Sequence, residues 1–144
     1  MNWENIVQKA GSYIVKIETP SGSGTGFLCG YNEDKTVCCI ATALHVVRQA
    51  DEWLQPIKIY NNDFGKHTFL KETERVIFTD YKSDSAVILF QKGDLDFPEV
   101  LIPLRPMNLP IGIGVDVGWL GYPGIDPYTL CFFSGSVSAR RDSG

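Results

Sequence analysis

The sequence predicts an all-β fold, a barrel or sandwich built from short strands. Apolar and polar residues alternate from Tyr13 to Glu18, which is the period of a half-buried strand. A continuous apolar run from Val37 to Ala41 is typical of a strand buried on both faces. Turns rich in glycine, proline and polar residues separate these segments, and little helix is indicated. This combination favours an all-β barrel or sandwich. Further strand candidates are Ile57 to Tyr60, Val76 to Thr79, Ala86 to Gln91 and Thr129 to Ala139.

One short helix is predicted at the N-terminus. Trp3, Ile6, Val7 and Ala10 follow the spacing of one helical face, and Gly11 ends the pattern. A segment marked by prolines then separates two groups of strands further along the chain. We therefore expect a helix at 1–11, a first β-barrel at 12–92, a connector at 93–106 and an incomplete second β-barrel at 107–144.

Composition excludes several classes of protein. The 144 residues are 44% apolar and 21% charged, as in ordinary soluble globular domains. A net charge of −4 and a pI near 5.1 argue against nucleic acid or an anionic membrane as partner. The N-terminal residues lack the apolar stretch of a secretory signal, and no apolar run could span a bilayer. These features predict a cytoplasmic protein.

The four cysteines are expected to be structural. They are Cys29, Cys38, Cys39 and Cys131, without the paired spacing of a zinc site. Adjacent residues of a strand point to opposite faces, so Cys38 and Cys39 cannot serve one partner. We expect small apolar core residues in a reducing compartment rather than disulfides or metal ligands.

Two segments carry side chains suited to acid–base chemistry. A buried strand ends in small residues just before His45, which puts an imidazole at the rim of a rigid sheet. Asp84 comes directly before another buried strand. A carboxylate there can accept the imidazole Nδ1–H and fix the tautomer of the ring. We therefore expect His45 and Asp84 to lie within hydrogen-bond distance of each other.

Five segments of the sequence together indicate a family. They are Gly24 to Phe27, Ala41 to Val47, Asp84 to Leu89, Gly118 to Gly124 and Ser134 to Ala139. In this order they resemble the trypsin/chymotrypsin superfamily, specifically the bacterial branch with the HtrA and Glu-specific peptidases. The resemblance implies two orthogonal β-barrels with the active site between them, and hydrolysis of polypeptides without a cofactor. It also implies that His45 is the general base and that Asp84 orients it.

The nucleophile is not identified in this sequence. In the family it lies in a Gly-x-Ser-Gly-Gly motif that follows at least one further strand after the segment matched by Ser134 to Ala139. We expect the 144 residues to end before that strand and motif. Ser143 follows Ser136 too closely for that strand to intervene, so we do not assign it as the nucleophile. We expect the first two thirds of a serine peptidase domain, inactive alone. The alternatives are a related cysteine peptidase and a pseudopeptidase that binds proteins.

Two rival residues are assigned structural roles. His67 lacks the flanking pattern of His45 and is expected to be an ordinary loop residue. Asp80 lies in a polar turn, so Asp84 is the preferred partner of His45.

An incomplete second barrel would expose open strand edges. We expect a missing C-terminal segment, or self-association, to cover them.

Overall fold

The structure is a computed structural model that describes residues 2–61 and 65–140. Its helices and strands are, in chain order, α1 Trp3–Gly11, β1 Ile14–Thr19, β2 Gly22–Tyr31, β3 Val37–Ala43, α2 Leu44–Glu52, β4 Ile57–Asn61, β5 Lys66–Leu70, a 3-10 turn Glu72–Glu74, β6 Arg75–Asp80, β7 Ser85–Gln91, β8 Asp116–Gly121 and β9 Cys131–Ser136. The predominance of strands and the N-terminal helix agree with the sequence.

Seven strands form one curled antiparallel sheet in the order β5-β4-β1-β2-β3-β7-β6. The alternating pattern of the sequence places one face of each central strand inside the curl. The core side chains are fully or almost fully buried and mostly β-branched or leucine, which suits a pleated sheet. They include Val15, Ile17, Leu28, Ile40, Ile57, Ile59 and Ile88.

Two elements of this sheet region depart from the sequence prediction. Helix α2 begins at Leu44, directly after β3, and buries Leu44, Val47 and Ala50. The apolar residues around His45 therefore continue in a helix. His67 lies on β5, paired with Tyr60, so its assignment to a loop was wrong. Neither helix among the described residues is long and apolar enough to cross a membrane.

The outer face of β1 is also covered by protein, as the burial of Lys16 shows. The residue is 4% exposed although it points away from the core. Its ammonium group lies 3.9 Å from the centre of the Tyr128 ring and 2.9 Å from Glu18 Oε1. A loop that follows β8 therefore covers the outer face of the first sheet, and the charge is paired where it is buried.

The connector packs against the first sheet. Leu95 and Phe97 are buried in the core of that sheet. The Tyr31 hydroxyl donates to the Pro98 carbonyl at 2.9 Å, and the Tyr13 hydroxyl donates to the Val100 carbonyl. Proline lacks the N–H that a strand needs, which explains why this segment stays irregular.

Strands β8 and β9 form a separate two-stranded antiparallel sheet. Phe132 of β9 contacts Trp3 of α1, with ring centroids 5.3 Å apart. On the other face of the hairpin, Trp119 and Phe133 stack at 5.9 Å and are 54% and 39% exposed. A two-stranded sheet cannot close a core by itself.

Candidate active site

The register of β3 on β7 determines the geometry of the site. Ala43, the last residue of β3, pairs with Ser85, the first residue of β7. Leu44, which follows Ala43, begins α2, and Asp84 immediately precedes Ser85. The Leu44 N–H donates to the Asp84 carbonyl at 3.0 Å. His45 and Asp84 therefore lie at the same end of two hydrogen-bonded strands.

The side chains of His45 and Asp84 are in direct contact. His45 Nδ1 lies 2.7 Å from Asp84 Oδ2, and the His45 backbone N–H donates to Asp84 Oδ1 at 2.9 Å. The predicted proximity of the two side chains is confirmed. The hydrogen bond from the ring, and then that from the backbone N–H, hold the pKa of Asp84 below its usual range. The carboxylate is thus kept ionised next to the imidazole.

The backbone of Asp84 adopts an uncommon conformation. Its φ of 52° lies in the left-handed region, where a residue with a side chain costs about 1–2 kcal/mol. Aspartate is one of the residue types that tolerate this region. The conformation lets the carbonyl of Asp84 accept from Leu44 while its carboxylate accepts from His45. These hydrogen bonds offset the backbone cost.

Asp80 and His67 have other surroundings. Ser83 Oγ donates to Asp80 Oδ2 at 2.7 Å, and the Lys82 N–H donates to Oδ1 at 3.1 Å. These bonds lower the pKa of Asp80, the Ser83 hydroxyl contributing most, and they stabilise the turn between β6 and β7. The ring of His67 stacks on Tyr60 at 6.4 Å, on the edge strand β5.

Two glycines of β2 allow close packing, Gly24 against α2 and Gly26 against β3. A Cβ on Gly24 would lie 2.5 Å from Val46 Cγ2, and one on Gly26 would lie 2.7 Å from Ile40 Cγ2. Both distances are too short for any real side chain. The glycines of the Gly-Thr-Gly segment are therefore required for close approach, and Gly24 admits the first turn of the helix that carries His45.

Thr25, between these glycines, joins the first sheet to the second. Its Oγ1 accepts from the Tyr122 N–H at 2.8 Å. Its carbonyl accepts from Thr42 Oγ1, also at 2.8 Å. Thr42 lies on β3, close to His45 in sequence. This role of Thr25 is not predicted from the sequence, because a contact across 97 residues leaves no local signal.

The imidazole is open to solvent, with the His45 side chain 73% exposed and that of Asp84 53% exposed. Nδ1 is engaged by Asp84, so Nε2 is the nitrogen that can take a proton from a reactant. Within residues 2–61 and 65–140, Asp84 is the sole hydrogen-bond partner of the ring. Ser143 lies outside the described residues.

Metal-binding side chains are not clustered in the part of the chain that the structure describes. No three His, Cys, Asp or Glu residues there are grouped as a metal ion would require.

Comparison with known proteins defines the fold. The structure resembles that of Rv3671c from M. tuberculosis H37Rv, solved as a serine-to-alanine mutant in an inactive form. The TM-score is 0.65 and the identity 24%, over 96% of this chain. The chain spans 57% of the length of that structure. No protein-family profile and no curated protein matches the sequence.

This likeness confirms the predicted fold class. The chain has the trypsin-like β-barrel fold, with a curled seven-stranded sheet and a second, small sheet of β8 and β9. The site of His45 and Asp84 lies where strands β3 and β7 of the seven-stranded sheet meet α2.

Proposed function

We propose that this chain belongs to a trypsin-like serine endopeptidase in which His45 is the general base and Asp84 orients it. The observation that carries the proposal is the contact of 2.7 Å between His45 Nδ1 and Asp84 Oδ2. An imidazole bound through Nδ1 presents Nε2 to a hydroxyl or thiol, as proton abstraction requires. The trypsin-like fold supports the same reading.

In the proposed reaction His45 transfers a proton in each of two half-reactions, acylation and deacylation. Nε2 takes the proton of the nucleophile as its oxygen attacks the carbonyl carbon of a peptide bond. The imidazolium then gives that proton to the leaving amine. In the second half-reaction a water molecule attacks the acyl-enzyme, and His45 passes the proton of that water to the oxygen of the nucleophile as the acyl group is released. Asp84 remains ionised throughout and stabilises the imidazolium, which agrees with the lowered pKa of Asp84.

The nucleophile is proposed to lie in a segment that the 144 residues do not include. Two facts support this: within the described residues Asp84 alone bonds the imidazole, and the chain spans 57% of the matched structure. A serine is the proposed nucleophile, and a cysteine would make the protein a cysteine peptidase. Polypeptide substrates, membership of the HtrA-like branch and a cytoplasmic location belong to the same proposal.

The second candidate is a pseudopeptidase that binds proteins and keeps His45 and Asp84 without turnover. Its specific support is the high exposure of the imidazole, which forms no hydrogen bond with a hydroxyl or thiol among the described residues. The two candidates differ in whether a Gly-x-Ser-Gly-Gly segment, or its cysteine equivalent, completes the protein.

The test is casein hydrolysis by the complete protein that contains these residues. We expect activity in the wild type, a loss of about 10⁴-fold in kcat for Asp84→Asn, and a loss at least as large for His45→Ala. His67→Ala and Asp80→Asn are matched controls and should retain activity, because neither side chain contacts His45. Residues 1–144 alone should stay at background. Full activity in His45→Ala would exclude the triad, and no activity in any form would favour the pseudopeptidase.

A further inference from the structure

Strand β2 contains a β-bulge that places two residues opposite one. Leu28 pairs with Ile40, but the next pair along the ladder is Gly30 with Cys39. Cys29 is the extra residue of the bulge. Cys29 and Gly30 therefore both lie opposite Cys39, and beyond the bulge the alternation of inward and outward side chains resumes.

The bulge brings two thiols into contact. Cys29 Sγ lies 3.2 Å from Cys39 Sγ and 3.4 Å from the Cys39 carbonyl oxygen. Gly30, next to Cys29, also lies close to Cys39, since an added Cβ would be 3.6 Å from Cys39 Cβ, an ordinary van der Waals contact. Both cysteines are half-buried, whereas Cys38 is buried in the core on the opposite face of β3.

We propose that Cys29 and Cys39 form a site of reversible disulfide modification. A disulfide has a sulfur separation of about 2.05 Å, so closure needs a movement of roughly 1 Å. Rotation of the two side chains supplies a movement of this size, and the strands are already hydrogen-bonded neighbours. The sequence predicts reduced core cysteines and not this pair, because the bulge that brings Cys29 and Cys39 together has no clear sequence signal.

The oxidant in the proposed reaction is a low-molecular-weight disulfide such as oxidised glutathione. One of the two thiols loses its proton to solvent and attacks a glutathione sulfur, which releases one reduced glutathione and leaves a mixed disulfide. The second thiol then loses its proton and displaces the other glutathione, so two thiols become one disulfide. Desolvation by burial, and then the hydrogen bond to Cys39, raise the pKa of Cys29 to about 12, so the reaction should accelerate as the pH rises.

The test uses oxidised glutathione on the folded chain, followed by unfolding with excess alkylating agent already present, so that buried Cys38 is labelled before it can exchange, and digestion with trypsin. Cleavage after Lys16, Lys35 and Arg48 separates a peptide of residues 17–35, which contains Cys29, from one of residues 36–48, which contains Cys38 and Cys39. We expect the two peptides to be joined, the intact chain to lose about 2 Da, and tandem mass spectrometry to show alkylated Cys38 and cross-linked Cys39.

Matched variants separate this site from the other thiols. Cys38→Ala and Cys131→Ser should keep the cross-link, and Cys39→Ala should abolish it. A link through Cys38 or Cys131, a link between two molecules, or a glutathione adduct that never resolves would overturn the proposal. The wild-type digest decides the question even if a variant fails to fold. Oxidation should also raise the Tm and leave it unchanged in Cys39→Ala. The inference does not depend on the proposed peptidase function.

Discussion

Asp84 accepts hydrogen bonds from two groups of His45, the ring Nδ1 at 2.7 Å and the backbone N–H at 2.9 Å. One carboxylate thus fixes both the side chain and the backbone of the residue that we propose as general base. The arrangement is possible because Asp84 precedes β7 in a left-handed conformation while His45 opens α2 after the paired strand β3. Strand register therefore positions the site.

The first prediction concerns the titration of Asp84. Its carboxyl signal in NMR should titrate below the ordinary range of aspartate, because both hydrogen bonds from His45 favour the charged form. His45→Ala should raise the pKa of Asp84. Asp80 is a matched control, since its lowered pKa arises from Ser83 and the Lys82 N–H. An unchanged pKa of Asp84 in His45→Ala would contradict the observed contact.

The same shift sets the direction of a pH effect. The pKa of Asp84 is depressed in the folded protein, so its contribution is fully present above the pKa of the unfolded chain. It is lost as the pH falls through the lower, folded value. The orientation of His45 should therefore persist at neutral pH and weaken in acid, which the His45 ring signals would report.

A second prediction concerns Gly24. Replacement by alanine would place Cβ 2.5 Å from Val46 Cγ2 and push the first turn of α2 away from β2. We expect a loss of about 1–3 kcal/mol in the free energy of unfolding, measured with urea. Gly124→Ala is the control, because nothing lies within 4 Å of its added Cβ. Adding Val46→Ala to Gly24→Ala should recover part of the loss, and equal stability of the two glycine variants would contradict the packing.

The sequence predicts much of the seven-stranded sheet and less of the rest. Tyr13, Val15 and Ile17 alternate clearly because one face of β1 is buried, and that local pattern survives folding. His45 and Asp84 could be located because each adjoins a strongly apolar strand. Helix α2 is not predicted from the sequence, because its apolar residues continue the apolar run of β3 without a break. The contact of Thr25 with Tyr122 depends on tertiary packing, which no local pattern encodes.

A third prediction concerns Thr25. Valine has nearly the same shape but no Oγ1, so Thr25→Val would leave the Tyr122 N–H without its acceptor. An unpaired buried N–H costs about 1–3 kcal/mol. Hydrogen exchange at the Tyr122 amide should become faster, whereas Thr25→Ser should retain protection. Equal exchange in wild type and Thr25→Val would show that this hydrogen bond does not join the two sheets.

A fourth prediction concerns the β8–β9 hairpin. Trp119 and Phe133 are exposed on one face of a sheet with two open edges. We expect residues 1–144 to self-associate, as measured by light scattering, unless another polypeptide segment covers the hairpin. Trp119→Thr with Phe133→Thr should reduce association. Trp53→Gln is the control, since Trp53 is 71% exposed after α2. A wild-type monomer that unfolds cooperatively would contradict this prediction.

The tautomer of His45 tests the central claim most directly. A base that abstracts a proton through Nε2 must carry its own proton on Nδ1 when neutral, held there by Asp84. Two-bond ¹⁵N–¹H correlation spectra of residues 1–144 above neutral pH distinguish the two nitrogens. We predict that His45 is the Nδ1–H tautomer in the wild type and becomes a mixture, or the Nε2–H tautomer, in Asp84→Ala. A wild-type His45 protonated on Nε2 would contradict the account.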